Sequence, residues 1–310
     1  GVPVKVKNFE WKTIFNWSKN NSMVESLPEG IDKIQIGSGV YNVKSYAEVG
    51  KPYGAIYAKT FKRDAEGYIL CQLDGSPKEG QDYEYLGCVQ ADWRGGWNNV
   101  FRLGNFSFSV MFDFQKGGKF FSQTSIQSSV DGQSVKSLEG RDADFFSRKI
   151  LGESDEERYG FMRPQNANTP TANGQIYPDW GRPKGVVLPN CRYDEDVEGL
   201  AGQQVLGYCT PERYWMHYTS RDISRFIYDA SYVKLREITV SYDLPKKWLR
   251  KTPFQTFRVA AVGRNIATLF ANTPHGLDPQ ATSTTGNAQG FERGFNLPSA
   301  TYGFDIKVSF

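Results

Sequence analysis

Ala300-Thr-Tyr-Gly-Phe-Asp-Ile-Lys-Val-Ser-Phe310, the last eleven residues of the chain, reads as one strand with two unlike faces. Tyr302, Phe304, Ile306, Val308 and Phe310 fall on one side, and Gly303, Asp305, Lys307 and Ser309 on the other. Side chains alternate across a strand, so one face is wholly apolar and its opposite polar or small. About ten residues of such alternation is the unit of an outer-membrane barrel, apolar toward lipid and polar toward the lumen. A soluble sheet also produces such strands, so the reading depends on its neighbours.

The pattern recurs. Phe106, Phe108, Val110, Phe112 and Phe114 share a face against Asn105, Ser107, Ser109, Asp113 and Gln115, with Met111 the exception. Phe9, Trp11, Phe15 and Trp17 alternate with Glu10, Lys12 and Asn16. Ile238, Val240, Tyr242 and Leu244 alternate with Glu237, Thr239, Ser241 and Asp243, and Phe257, Val259 and Ala261 repeat this more weakly. Less regular strands are expected at 39–48, 53–63, 66–73, 97–103, 118–128 and 222–229, with Lys116-Gly-Gly-Lys119 as a tight turn and a short helical turn near Lys246–Lys251. The total is about ten strands, too few to close a sheet whose edge groups would meet lipid without water. The connections alternate between short and long: 129–229 and 271–298 are the long ones, on one side, as expected of extracellular loops.

Composition narrows the choice. The 310 residues carry a net charge of +3 with dispersed Lys and Arg, which gives no electrostatic reason to expect nucleic acid. No run of eighteen apolar residues exists, so a transmembrane helix is not expected. A negative mean hydropathy is compatible with a barrel, because half of each strand faces a polar lumen. Aromatic residues make up 15%, which suits membrane girdles and equally a glycan-binding β protein. Gly1-Val-Pro-Val-Lys has neither the charged nor the apolar region of a signal peptide and reads as the interior of a longer structured segment. In an oxidising compartment Cys71–Cys88 and Cys191–Cys209 are the local disulfide pairs, with loop thiols the alternative.

Asp229-Ala-Ser-Tyr-Val-Lys-Leu-Arg-Glu-Ile-Thr-Val-Ser-Tyr-Asp-Leu-Pro245 resembles a hallmark of the SusC/RagA family of TonB-dependent outer-membrane transporters. Phe257–Ile266 is similar to that family's following strand, Gly276-Leu-Asp-Pro279 to its Gly-Phe-Asp-Pro loop, and Ala300–Phe310 to its closing strand. Gly50–Tyr57, Phe61–Gly67 and Trp97–Ser109 with Gly117-Gly118 also match. The resemblance implies an all-β, antiparallel transmembrane barrel in the bacterial outer membrane, this chain being the C-terminal part of a plugged barrel of roughly 22 strands. It further implies import of oligosaccharides or peptides, in Bacteroidetes, with no enzymatic activity and no cofactor. The implied partners are a SusD-like surface lipoprotein, the N-terminal part of the same transporter, TonB acting through that part, the lipid bilayer, and a second transporter–lipoprotein pair. No TonB box, plug or first-half strands are found, so energy coupling is not locatable here. A passive porin and a secreted glycan-binding β protein are the alternatives.

Arg213-Tyr-Trp-Met-His-Tyr218 is the expected place for substrate or lid contact, through Arg213, Tyr214, Trp215, His217 and Tyr218, with Trp180 adding to the same loop. Flat aromatic faces with polar tips suit sugars and peptide side chains. Self-packing of the loop is the competing reading. His217 and His275 lack a second ligand at metal spacing. Asp194-Glu-Asp196 with Glu198 offers hard oxygens for calcium but not the EF-hand spacing, and reads as a solvated acidic loop.

Overall fold

A computed structural model describes residues 1–138, 186–209, 211–274, 276–281, 286–294 and 299–310. In chain order the strands are β1 (Val4–Val6), β2 (Phe9–Ser18), β3 (Lys33–Ser38), β4 (Lys44–Glu48), β5 (Ala55–Phe61), β6 (Ile69–Cys71), β7 (Glu79–Cys88), β8 (Trp93–Leu103) and β9 (Phe106–Lys116). They continue as β10 (Lys119–Ser122), β11 (Val186–Tyr193), β12 (Gln204–Cys209), β13 (Ile227–Asp229), β14 (Tyr232–Asp243), β15 (Thr256–Ala271), β16 (Phe291–Glu292) and β17 (Thr301–Ser309). Helix α1 spans Gln123–Val130 and α2 Lys246–Leu249.

The main sheet is antiparallel and runs β1-β2-β8-β9-β14-β15-β17. Its register lines up the apolar faces read from the sequence. Trp11 stands opposite Phe101, Phe101 opposite Phe108, Phe108 opposite Val240, Tyr242 opposite Val259, and Val259 opposite Ile306. One continuous apolar surface therefore crosses every long strand. Nothing packs on it among the described residues: Phe108 is 40% exposed, Ile306 63% and Phe304 84%. Rings concentrate at its two ends, with Phe106, Tyr242, Phe254, Phe257 and Phe310 near one and Phe15, Trp93 and Phe114 near the other. Such girdles flank the apolar band of an outer-membrane barrel.

The hydrophobic core lies elsewhere. Apart from Tyr232 and Ala260, the buried apolar residues belong to the connections and not to the sheet. The links β1–β2, β8–β9 and β14–β15 are short and sit at one end. The stretches 19–92, 117–231 and 272–300 leave from the other. Val43, Ile56 and Ala58 from the first, Phe121, Ile126 and Phe226 from the second, and Phe291 from the third share one core. Parallel pairing of β10 with β16 stitches the second stretch to the third.

This arrangement corrects the strand count. Among the described residues seven strands form the main sheet, where about ten were expected. The segments 39–48, 53–63 and 66–73 lie in smaller sheets of the first long connection, as β4, β5 and β6. Segment 118–128 is β10 followed by α1, capped where Ser122 Oγ accepts from Ser125 N, and 222–229 is a 3-10 turn with β13. Gly117 and Gly118 do not close a hairpin. Both adopt positive φ (74° and 83°), and a Cβ on Gly117 would lie 2.4 Å from the Asp92 carboxylate. They turn the chain out of β9 into the loop region, where Phe120 and Phe121 find a protein core in place of lipid.

Candidate functional site

The face opposite the apolar surface is polar and is built by the same alternation. At its short-link end Arg258 donates to both carboxylate oxygens of Asp243, at 2.6 and 2.8 Å. Further along, Arg264 donates to Glu237 at 2.9 Å. At the loop end a bulge in β14 between Leu235 and Glu237 disrupts the ladder with both neighbours. An extra residue there re-aims its side chain, so Arg236 joins the polar face although strict alternation assigns it to the apolar one. Its guanidinium donates to Asp113 through Nε at 3.1 Å, to Asn265 at 2.6 Å and to Gln280 at 2.6 Å.

Asp278 of the Gly276-Leu-Asp-Pro279 segment is pinned beside it. Lys234 Nζ donates to both Asp278 oxygens at 2.5 Å and to Gln280 Oε1 at 2.9 Å, and both charged side chains are buried. Gln280 Nε2 donates to Tyr232 OH at 2.5 Å, and that hydroxyl donates to Asp113 at 3.3 Å. Burying two charges costs desolvation, which is recovered only when geometry is good and the remaining donors are satisfied. Here they are, and the network folds the third connection back onto the strands. Beside it opens a cleft of about 400 Å³ lined by Arg94, Asp113, Gln115, Tyr232, Gln280 and Gln289. Polar walls of both signs, rooted on rigid strands, suit a polar ligand or a polar protein surface.

The loop end holds the residues singled out in the sequence. Tyr214 and Trp215 are 1% exposed and Tyr218 3%, so these rings are turned away from any ligand. They pack with Phe61, Ile69, Cys71, Val186, Tyr193 and Val205 in a second core, with Trp215 edge-on to Tyr214 at 5.1 Å. All three rings are therefore buried within the loop region. The physical cause is a short helical segment over Pro211–Tyr218, which gathers positions 214, 215 and 218 on its inner side. Arg213 and His217 lie outside. Arg213 donates to Asp74 at 2.8 Å and sits over the Tyr218 ring at 5.4 Å. Trp180 and His275 lie outside the described residues.

The acidic run is not a solvated loop throughout. Asp194 is 3% exposed and accepts from Lys62 at 2.9 Å and Lys78 at 2.8 Å. Burial raises its carboxyl, but the hydrogen bonds from Lys78 and Lys62 outweigh that and hold it at about 2. Asp196 is exposed and also pairs with Lys78. The local cysteine pairs do not form either. Cys71, Cys191 and Cys209 share the second core, whereas Cys88 lies on another sheet and donates to Tyr53 O.

No protein-family model matches the chain. Over 318 aligned residues it is 23% identical to the TonB-dependent receptor P3 of Formosa agariphila, covering 96% of this chain and 26% of that protein. Among solved structures, the RagAB peptide importer in its open-open state aligns with TM-score 0.52 at 16% identity. The same importer in its closed-closed state aligns with TM-score 0.55 at 14% identity. Each alignment covers 100% of this chain and 28% of the other. The chain thus spans about a quarter of the length of the relatives it matches. The fold is that of part of the barrel in the RagAB structures, and the SusC/RagA resemblance read from the sequence agrees with it.

Proposed function

We propose that the chain supplies the C-terminal barrel strands and surface loops of a TonB-driven nutrient importer, with no chemistry of its own. One observation carries this reading: the apolar surface is continuous across the long strands and uncovered, while the core lies in the loops at one end. A secreted sandwich would bury that surface under a second sheet. Lipid is the solvent in which such exposed rings are stable, once the open edges of β1 and β17 pair with further strands of the transporter. The three long connections face the cell exterior and the short links face the periplasm. The polar face lines the lumen, and the cleft beside Tyr232 and Gln280 lies at its outer mouth.

The substrate is a peptide or an oligosaccharide held beneath a SusD-like lipoprotein, and TonB acts through the N-terminal part of the transporter. Arg213 and His217 remain the surface positions of the helical segment for contact with substrate or lipoprotein. The test is uptake by cells carrying the full-length protein, offered fluorescent oligopeptides or oligosaccharides. Accumulation of one class that disappears on loss of TonB or of the lipoprotein supports the reading. Uptake unchanged by loss of TonB indicates a passive pore and would overturn it.

A further inference from the structure

The link between β14 and β15, Leu244-Pro-Lys-Lys-Trp-Leu-Arg-Lys-Thr-Pro253, carries four cations and no carboxylate. Its shape is set by α2. Pro245 O accepts from Trp248 N at 2.9 Å, and Leu249 turns inward and is buried. Lys246, Lys247, Trp248, Arg250 and Lys251 are all left exposed on one short turn. None of the four cations pairs with a carboxylate among the described residues, and Asp243, the nearest in sequence, is held by Arg258. Trp248 is 60% exposed. Its large ring gains nothing from water, yet its N–H needs a polar partner, and a boundary between apolar and wet surroundings satisfies both. Such a boundary lies next to it. Leu244 continues the apolar register of β14, and Phe254 packs on Phe257 and Phe310 at 6.0 and 5.3 Å, within the ring girdle at that end. An exposed indole beside such a girdle sits at the headgroup level of a bilayer.

We propose that α2 and its flanks form a binding site for the headgroup of an anionic phospholipid in the periplasmic leaflet. Trp248 sits at the headgroup boundary, and Lys246, Lys247, Arg250 and Lys251 supply the charge. This rests on the membrane reading above and adds a headgroup preference that the reading does not require. Two observations select the occupant. The link is continuous with the lipid-facing surface, and its four unpaired cations complement a headgroup with net negative charge. A zwitterionic headgroup carries its own ammonium beside the phosphate and gains little from them. At an anionic membrane surface each Lys or Arg raises affinity by about fivefold. The prolines at 245 and 253 keep the link short and stiff, so the cations stay near the strand ends.

The test uses the full-length protein in phosphatidylcholine vesicles doped with a phospholipid brominated in its acyl chains, whose headgroup is either phosphatidylglycerol or phosphatidylcholine. Bromine quenches the fluorescence of indoles it touches. The Trp248 signal is the difference between the unaltered protein and Trp248→Phe. Trp97, read the same way, reports the apolar face, where it stands opposite Phe112 with the rings stacked. The expected result is equal quenching of Trp97 by the two lipids and several-fold stronger quenching of Trp248 by the phosphatidylglycerol. That preference should fall about fivefold in Lys247→Gln and vanish when all four cations become Gln. Equal quenching of Trp248 by both headgroups overturns the site and leaves the bilayer reading standing. So does a Trp248 quenched by neither while Trp97 is quenched, the result expected if the link rests on a periplasmic protein surface. Quenching of neither indole overturns both. Should the fourfold variant fail to insert, the headgroup comparison at Trp248 still decides.

Discussion

Single side chains do two jobs here: some hold loops to strands, and others hold the loops together. Lys234 and Asp278 are the sharpest case of the first. Asp278→Ala leaves a buried lysine without its counter-charge, and should destabilise the third connection by about 3 kcal/mol. The measurement is limited proteolysis between 272 and 300, which should speed up while the strands stay protected. Replacing both charges, Lys234→Met with Asp278→Leu, should restore most of the protection. Asp194 illustrates the second job. Its folded carboxyl lies at about 2, below the ordinary carboxylate range, so its stabilisation is complete above roughly pH 4 and is lost as pH falls toward 2. Asp194→Asn should remove about 2 kcal/mol from the loop core at neutral pH and flatten its acid transition, read by hydrogen exchange in 186–209. Of these residues, Arg236 went unread, although a charge in the apolar register of Ile238, Val240 and Tyr242 is a signal of a bulge. Asp194 gave no such signal, because its partners Lys62 and Lys78 come from a distant connection.

Among elements, the membrane strands were legible and the loop strands were not. Strands β9, β14 and β17 alternate cleanly because one face meets lipid and the other water. β5 is buried at nearly every position and lacks the alternation of a barrel strand, so the sequence alone marked it as a strand without marking its place. Segment 118–128 has two more aromatics after a glycine pair and looks like a continued hairpin, yet Ser122 caps a helix instead. The helical segment at Pro211–Tyr218 went unread, although Tyr214, Trp215 and Tyr218 stand at helical spacing. Close packing within the sheet gives a further prediction. Phe114 lies across Gly95, with ring carbon Cε2 2.2 Å from where a Cβ would stand. Gly95→Ala should cost about 1–3 kcal/mol, measured by urea unfolding in lipid vesicles, and Phe114→Leu should relieve part of it.

At the scale of the whole molecule the surface is inverted: rings outside, charges within, and the packed core gathered at one end. A charge on the outer face should therefore be costly and one on the inner face tolerated. Phe108→Arg should destabilise the inserted barrel by about 2–4 kcal/mol, and Ser107→Arg, one residue away on the lumen side, should insert almost normally. The most direct measurement attaches a nitroxide singly at each position from 106 to 114 in the full-length protein, reconstituted in vesicles, and reads its collisions with oxygen and with a polar relaxant. Oxygen contact should be high at 106, 108, 110, 112 and 114 and low at the positions between, with the polar relaxant showing the reverse. Equal oxygen contact at both sets, or protection of the phenylalanine positions from both reagents, would contradict lipid exposure and with it the importer.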